Sequence, residues 1–119
     1  MIEVALKSTE REPGGVLEGT VSWRYAEPPR DVEARLLWYT QGKGTVDTEV
    51  LDSVRFDAPG PHDRRTFRFS LPEAPYSFSG KLISLVWAVE AVATPGPEVA
   101  RADFVMAPGG REILLHARP

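Results

Sequence analysis

Apolar and polar residues alternate with a period of two through most of this chain. Such alternation is typical of strands with one face in a core and the other in water. No window of a dozen residues repeats apolar positions at helical spacing without a Pro or Gly, so we expect no long helix. The pattern predicts eight strands, at residues 2–6, 17–25, 32–38, 46–56, 67–71, 81–93, 100–106 and 113–115.

Clusters of Pro and Gly separate nearly every pair of these strands. They lie at residues 13–15, 28–29, 42–44, 59–61, 95–97 and 108–110. A parallel sheet needs crossover helices that the pattern does not contain, so the chain favours an antiparallel arrangement. At this length a sandwich is commoner than a barrel. We predict an all-β, immunoglobulin-like antiparallel β-sandwich of about eight strands that spans residues 1–119 as a single domain.

The alternation also predicts which side chains face the core. The inward set includes Trp23, Trp38, Phe67, Phe69, Leu85, Trp87 and Phe104. In the strand at 46–56, the same period of two places Val46, Val50, Val54 and Phe56 together on one face.

Composition and charge narrow the classes of partner. The 119 residues include 14 Lys plus Arg, 17 Asp plus Glu and no Cys, which gives a net charge of −3. This balance argues against nucleic acid and anionic membranes as partners, because both need clustered positive charge. The absence of Cys excludes disulfides and thiol chemistry. The first residues lack a basic region followed by an apolar run, so we expect a soluble, cytoplasmic protein without membrane insertion.

The connection after the fifth predicted strand carries the most specific motif. Residues 67–80 read Phe-Arg-Phe-Ser-Leu-Pro-Glu-Ala-Pro-Tyr-Ser-Phe-Ser-Gly, and Trp-Ala-Val-Glu-Ala follows at 87–91. This stretch resembles the N-terminal lobe of the arrestin-like fold family. There, a strand with alternating aromatics ends in Leu-Pro, a Pro-Ser-Phe-x-Gly turn follows, and a long strand ends in aromatic-x-Val-x-Ala. Residues 13–21 are similar to the start of the family's second strand, and the resemblance covers roughly residues 1–107. It implies a single arrestin-like lobe.

Two properties of the family are not implied by this resemblance. Arrestins bind receptors across two lobes, and this chain has the length of one. They also sense phosphate through a buried polar cluster, whereas the outer residues of the long strand here are Val86, Ala88 and Glu90, with no Arg. Within the turn itself, we expect Gly80 to take a backbone conformation that other residues resist.

Candidate chemistry is sparse. The best local metal or acid–base candidate is His62 with Asp57 and Asp63, in a loop whose charged residues are more often simply solvated. Ser77 and Ser79 lack the nucleophile-elbow context of a hydrolase and fit the turn motif better. We therefore expect no catalytic, metal or cofactor site and no enzymatic activity.

One basic cluster stands out, formed by Arg64, Arg65 and Arg68. Its residues are a candidate contact for an anion, such as an acidic peptide or a phosphate. The period of two places Arg64 and Arg68 together on the solvent face, where charged side chains commonly protect an edge strand.

Several predicted strands carry apolar residues on the face that should meet water. The candidate interaction surface consists of Leu37, Tyr39, Val86, Val92 and Leu114. A contiguous exposed apolar patch of this kind marks a binding surface.

These residues favour a non-catalytic protein-interaction module, an adaptor or scaffold that acts through a sheet face or an edge strand. The expected partner is a protein or a second copy of the chain. Two alternatives stay open. One is a metal-dependent binding protein or small enzyme that uses the His62 loop, and the other is a structural subunit of a larger assembly.

Overall fold

The computed structural model describes residues 1–42, 44 and 46–114. Within these residues the chain forms ten strands and one short 3-10 turn at Pro108–Gly110. The strands are β1 (Ile2–Leu6), β2 (Glu10–Arg11), β3 (Val16–Arg24), β4 (Asp31–Gly42), β5 (Thr48–Arg55), β6 (His62–Ser70), β7 (Phe78–Ser79), β8 (Ile83–Thr94), β9 (Glu98–Met106) and β10 (Ile113–Leu114). Among the described residues, no helical segment has the length and hydrophobicity that crossing a membrane requires.

The eight predicted strands correspond to β1, β3, β4, β5, β6, β8, β9 and β10. Leu115, the predicted end of the last strand, lies outside the described residues. The pattern did not predict β2 and β7, because two residues are too few to show a period. The antiparallel β-sandwich is confirmed, with two short exceptions, since β2 pairs with β9 and β7 pairs with β10 in parallel.

The strands form two sheets that pack face to face. The first sheet has the order β1-β3-β6, and the second contains β10-β7-β8-β4-β5. In the second sheet, β4 pairs with β8 over the full length of both strands, from Asp31 opposite Thr94 to Gly42 opposite Ile83. The other edge of β8 is shared by β7 near its start and by β9 from Trp87 onward.

The core lies between the inner faces of the two sheets. The predicted inward aromatics are buried there, except Trp38, which is half-buried and packs against the same cluster. Two indole N–H groups are satisfied by loop carbonyls: Trp23 Nε1 donates to Gly60 O and Trp87 Nε1 donates to Pro75 O, each at 2.8 Å. Buried indole N–H groups usually find such a partner, and these two bonds hold the loops at 60 and 75 against the rim of the core.

The motif at 71–80 is held against β8 and β9. Ser77 is 2% exposed; its amide donates to Met106 O at 2.7 Å, and its hydroxyl accepts from Met106 N at 3.0 Å. The Ser77 hydroxyl thus serves the backbone, as the turn interpretation expects. The expectation for Gly80 is wrong, because the described glycines with positive φ are Gly14, Gly44, Gly96, Gly109 and Gly110. The Gly80 amide instead donates to Ile83 O at 2.8 Å, so a hydrogen-bonded turn over several residues leads into β8 without a left-handed residue.

The predicted single face for the strand at 46–56 is also wrong. A β-bulge interrupts the pairing of β4 with β5, so Leu36 lies opposite Asp52 and Leu37 opposite Val50. Leu51 is the extra residue, and it exchanges the two faces of the strand at that point. Val50 consequently lies on the outer face and is 50% exposed, whereas Val54 faces the core side opposite Ala34.

Gly19 creates the space for one aromatic ring of the core. A Cβ at this position would lie 2.5 Å from Ala5 O and 2.5 Å from Phe67 Cζ, closer than real Cβ atoms approach. Because Ala5 O belongs to the β1–β3 ladder, it cannot move without disturbing that pairing. We expect Gly19→Ala to lower the free energy of unfolding by about 1–3 kcal/mol. Gly60→Ala is the control, since its Cβ would meet nothing closer than 3.7 Å. Equal denaturant midpoints for the two variants would contradict this assignment.

Trp87 and Arg68 test the assignment of faces. Trp87 is completely buried, and its ring centroid lies 6.0 Å from that of Phe104. Arg68 is exposed on the outer side of β6. We expect Trp87→Ala to cost about 3–5 kcal/mol of stability and Arg68→Ala to cost less than about 1. Similar losses in urea titrations of the two variants would mean that the faces are assigned wrongly.

Candidate functional site

The outer face of the second sheet carries four of the five residues of the candidate interaction surface. In the β4–β8 pairing, Leu37 lies opposite Ala88, Tyr39 opposite Val86, and Glu33 opposite Val92. Leu37 is 3% exposed, Tyr39 5% and Val92 8%, whereas Leu114 is 53% exposed on the short edge strand β10. The exposure expected for Leu37, Tyr39 and Val92 is therefore wrong. The five residues do not form one exposed apolar patch, although binding at this face stays a prediction.

Tyr39 is covered by charged side chains from β9. The guanidinium of Arg101 lies 4.4 Å from the centroid of the Tyr39 ring, and the Tyr39 hydroxyl donates to the Asp103 carboxylate at 3.2 Å. Burial and the nearby charge of Asp103 raise the pKa of Tyr39, with a smaller opposing effect from Arg101. The ring packs with Leu37, Ala88 and Val86 in a small second cluster.

Arg35 completes the cover of this face. Its Nε donates to Glu33 at 2.7 Å, and one of its terminal nitrogens lies 3.8 Å from the Glu90 carboxylate. Long charged side chains shield apolar surface with their stems while their heads stay in water. Together, the aromatic and ionic contacts leave this sheet face largely closed by its own side chains.

The three arginines of the predicted anion contact do not act together. Arg64 and Arg68 are exposed on the outer side of β6, as predicted. Arg65 has the opposite parity and is half-buried; it lies 2.9 Å from the Asp63 carboxylate and donates to Ala58 O at 3.3 Å. Anion binding by these residues stays a prediction.

Asp63 is already occupied by donors from its own loop. Its carboxylate accepts hydrogen bonds from Arg65, from the Arg64 amide at 2.9 Å and from the Gly60 amide at 3.2 Å. These bonds, led by the one from Arg65, lower the pKa of Asp63 to about 2. His62 is exposed at the start of β6, opposite Arg24 of β3. Across the described ranges, no three His, Asp or Glu side chains are grouped closely enough to hold a metal ion.

The two flanks of the sandwich differ in whether their edge strands are covered by other strands of the chain. On one flank, β1 packs beside β9, and the Met1 amine lies 3.2 Å from the Glu98 carboxylate. On the other flank, β5 pairs only with β4 and β6 pairs only with β3, so each strand has one free edge in the part of the chain that the structure describes. We call these the β5 edge (Thr48–Arg55) and the β6 edge (His62–Ser70). Every residue of β5 except Val54 is exposed.

The two free edges carry opposite charge. The β5 edge has Glu49 and Asp52 with a single Arg55, and the β6 edge has three arginines with a single Asp63. Among the described side chains, none lies within 4.0 Å of Glu49, Asp52, Arg64 or Arg68 as an ion-pair partner. Sequence reasoning did not place Glu49 and Asp52 on a free edge, because only the strand order shows which edges are free.

Comparison with solved structures finds the same fold in Spo0M, a sporulation control protein from Bacillus subtilis. The two superpose with a TM-score of 0.62 at 20% identity, over 90% of this chain and 48% of the Spo0M chain. This chain thus has an arrestin-like β-sandwich fold and spans about half the length of Spo0M. At this identity, the likeness shows the fold alone.

More distant comparisons add no further identification. A β-glucosidase from Listeria innocua aligns with 96% of this chain and 16% of its own, at 14% identity and a TM-score of 0.45, which carries no argument about fold or activity. No family model matches the sequence, and the search of curated proteins gave no match.

The hydrogen-bonded Asp63 carboxylate predicts a particular dependence of stability on pH. Its pKa falls from 3.8 to about 2 on folding, so its stabilisation is fully present above pH 3.8 and is lost as the pH falls through about 2. We expect Asp63→Asn to lower the melting temperature most at neutral pH, with the gap to the native protein closing between pH 4 and 2. Asp57→Asn, at an exposed neighbour, provides the control. A gap for Asp63→Asn that stays constant down to pH 2 would contradict this assignment.

Proposed function

We propose that this chain is a non-catalytic protein-interaction module, an adaptor or scaffold, that binds its partner at the β5 edge by strand addition. The observation that carries the proposal is a free edge strand in which every residue but Val54 is exposed. In strand addition, the free N–H and C=O groups of the edge bind a partner's backbone, and alternate side chains select the sequence. The outer face of the second sheet is a less favourable binding surface than the β5 edge, because it is already covered by Arg101, Asp103 and Arg35.

The β5 edge provides both polar and apolar contacts. The Ser53 amide donates to the carboxylate of its neighbour Asp52 at 2.8 Å, which indicates that this N–H points toward the free edge rather than into the ladder. Val50 and Leu51 are 50% and 40% exposed. The bulge at Leu51 limits a regular added strand to a few residues on either side of it. A short contact of this kind suits an adaptor that binds reversibly.

Two features support the non-catalytic part of the proposal. The Ser77 hydroxyl is buried and bonded to the backbone of β9, which leaves it without access to a substrate. Asp63, the acid next to His62, is held by three donors at a depressed pKa, which makes it a poor general base.

Substitution of Ser53 tests the edge as the binding site. Ser53→Pro removes the outward N–H, whereas Ser53→Ala removes only the hydroxyl and keeps the N–H. We expect a partner captured from the host lysate by the native chain to be retained by Ser53→Ala and lost by Ser53→Pro, with both variants folded by circular dichroism. If Ser53→Pro fails to fold, Val50→Lys is the second variant, since it changes the exposed edge without altering the backbone. A partner that binds all variants equally would overturn the proposal.

A further inference from the structure

The two free edges lie on the same flank of the sandwich and run in opposite directions. The segment at 56–61 connects them, so β6 begins at the end of the sandwich where β5 stops. The β5 edge belongs to the second sheet and the β6 edge to the first sheet. One flank therefore presents two strand edges, one from each sheet, side by side and antiparallel.

The charges of the two edges determine which edge of one copy can pair with which edge of a second copy. Two β5 edges would bring Glu49 and Asp52 against the same acids, and two β6 edges would bring arginines against arginines. Like charges on adjacent strands destabilise pairing, and charged edges generally prevent strands from joining their own kind. The mixed combination brings unlike charges together.

A two-fold rotation produces the mixed combination twice. If the axis runs parallel to the strands along the open flank, the second copy presents its β6 edge to the first copy's β5 edge and its own β5 edge to the first copy's β6 edge. The rotation keeps the strand direction, so both contacts are antiparallel. Such an interface is self-complementary and closes at two copies.

The backbone fits this arrangement at one pair of residues. Ser53 lies two residues before the end of β5 and Arg64 two residues after the start of β6, so we place them opposite each other in the rotated pair. Both amides donate to the side chain of the preceding residue, Ser53 to Asp52 at 2.8 Å and Arg64 to Asp63 at 2.9 Å. These are the N–H groups that an added strand would engage in place of the local carboxylates.

We propose that the partner of this flank is a second copy of the chain. The β5 edge of each copy pairs with the β6 edge of the other, and the regular stretch joins Asp52–Arg55 to His62–Arg65. This inference rests on the proposed function, because it assigns an occupant to the same β5 edge. In this register Asp52 stands opposite Arg65 on the core-facing side, while Arg64 and Arg68, which have no ion-pair partner within the described chain, add to the positive charge of the β6 edge from its outer side.

Charge reversal at each edge gives a direct test. Analytical ultracentrifugation at low ionic strength should show a dimer for the native chain, with weaker association as salt is added, because salt screens exposed charges. Glu49→Lys with Asp52→Lys, and separately Arg64→Glu with Arg68→Glu, should each weaken dimerisation by about tenfold or more, since each gives the two facing edges net charges of the same sign. Val86→Lys on the outer sheet face is the control, and it should dimerise as the native chain does.

Mixing the two reversed variants is the decisive step. Each variant alone is expected to be monomeric, whereas their equimolar mixture should form heterodimers, because both contacts of the mixed pair then join unlike charges. The variant with all four substitutions should dimerise again. A native chain that stays monomeric, a mixture that stays monomeric, or assembly beyond two copies would each overturn the proposed dimer.

The outcomes also separate this inference from the proposed function. A native chain that is monomeric but still loses another protein on Ser53→Pro, and keeps it on Ser53→Ala, would overturn the self-pairing while supporting strand addition at the β5 edge. A dimer unaffected by all charge and Ser53 substitutions would place the self-contact elsewhere and overturn the self-pairing, and retention of every captured partner by Ser53→Pro would overturn strand addition as well.

Discussion

The pairing of β4 with β8 is the interaction on which the rest of the structure depends. It joins twelve residues of each strand, from Asp31 opposite Thr94 to Gly42 opposite Ile83. The other strands of the second sheet build outward from this pair: β5 pairs with β4, β7 and β9 pair with β8, and β10 and β2 pair with β7 and β9. The pairing also places Trp87 on the inner face, from which its indole N–H reaches Pro75 O and holds the turn at 71–80. A register slip of one residue would exchange the core and solvent faces of both strands.

The candidate site follows from the way the sheets end. Since β9 and β1 pack together on one flank, the contacts of that flank are made within the chain. The opposite flank is left with β5 and β6, consecutive strands that belong to different sheets. The charges on β5 and β6 disfavour the pairing of two β5 edges or of two β6 edges. They leave a β5 edge free to pair with a β6 edge. The exposed flank, rather than the covered outer face, therefore carries both proposals.

The sequence predicted the strands and most of their faces, because a period of two depends only on local spacing. It predicted neither the bulge at Leu51 nor the cover over Tyr39. The bulge comes from the fit between β4 and β5, and the cover comes from Arg101 and Asp103, which lie more than sixty residues away along the chain. The free edges could not be predicted from local spacing either, because strand order depends on contacts between residues that are far apart in the chain. The position of Arg64 and Arg68 on one face depends only on local alternation, and it was predicted. The hydrogen bonds of Arg65 to Ala58 and Asp63 depend on the folded loop and could not be predicted in this way.

Hydrogen exchange of the native chain at two protein concentrations tests most directly whether the open flank is the contact surface. On raising the concentration through the association range, we predict slower exchange within Thr48–Arg55 and His62–Arg65, with the amides of Ser53 and Arg64 among those protected, and no change along β8. Protection that increases on the outer face of β4 and β8 instead, while β5 and β6 exchange at unchanged rates, would contradict the account.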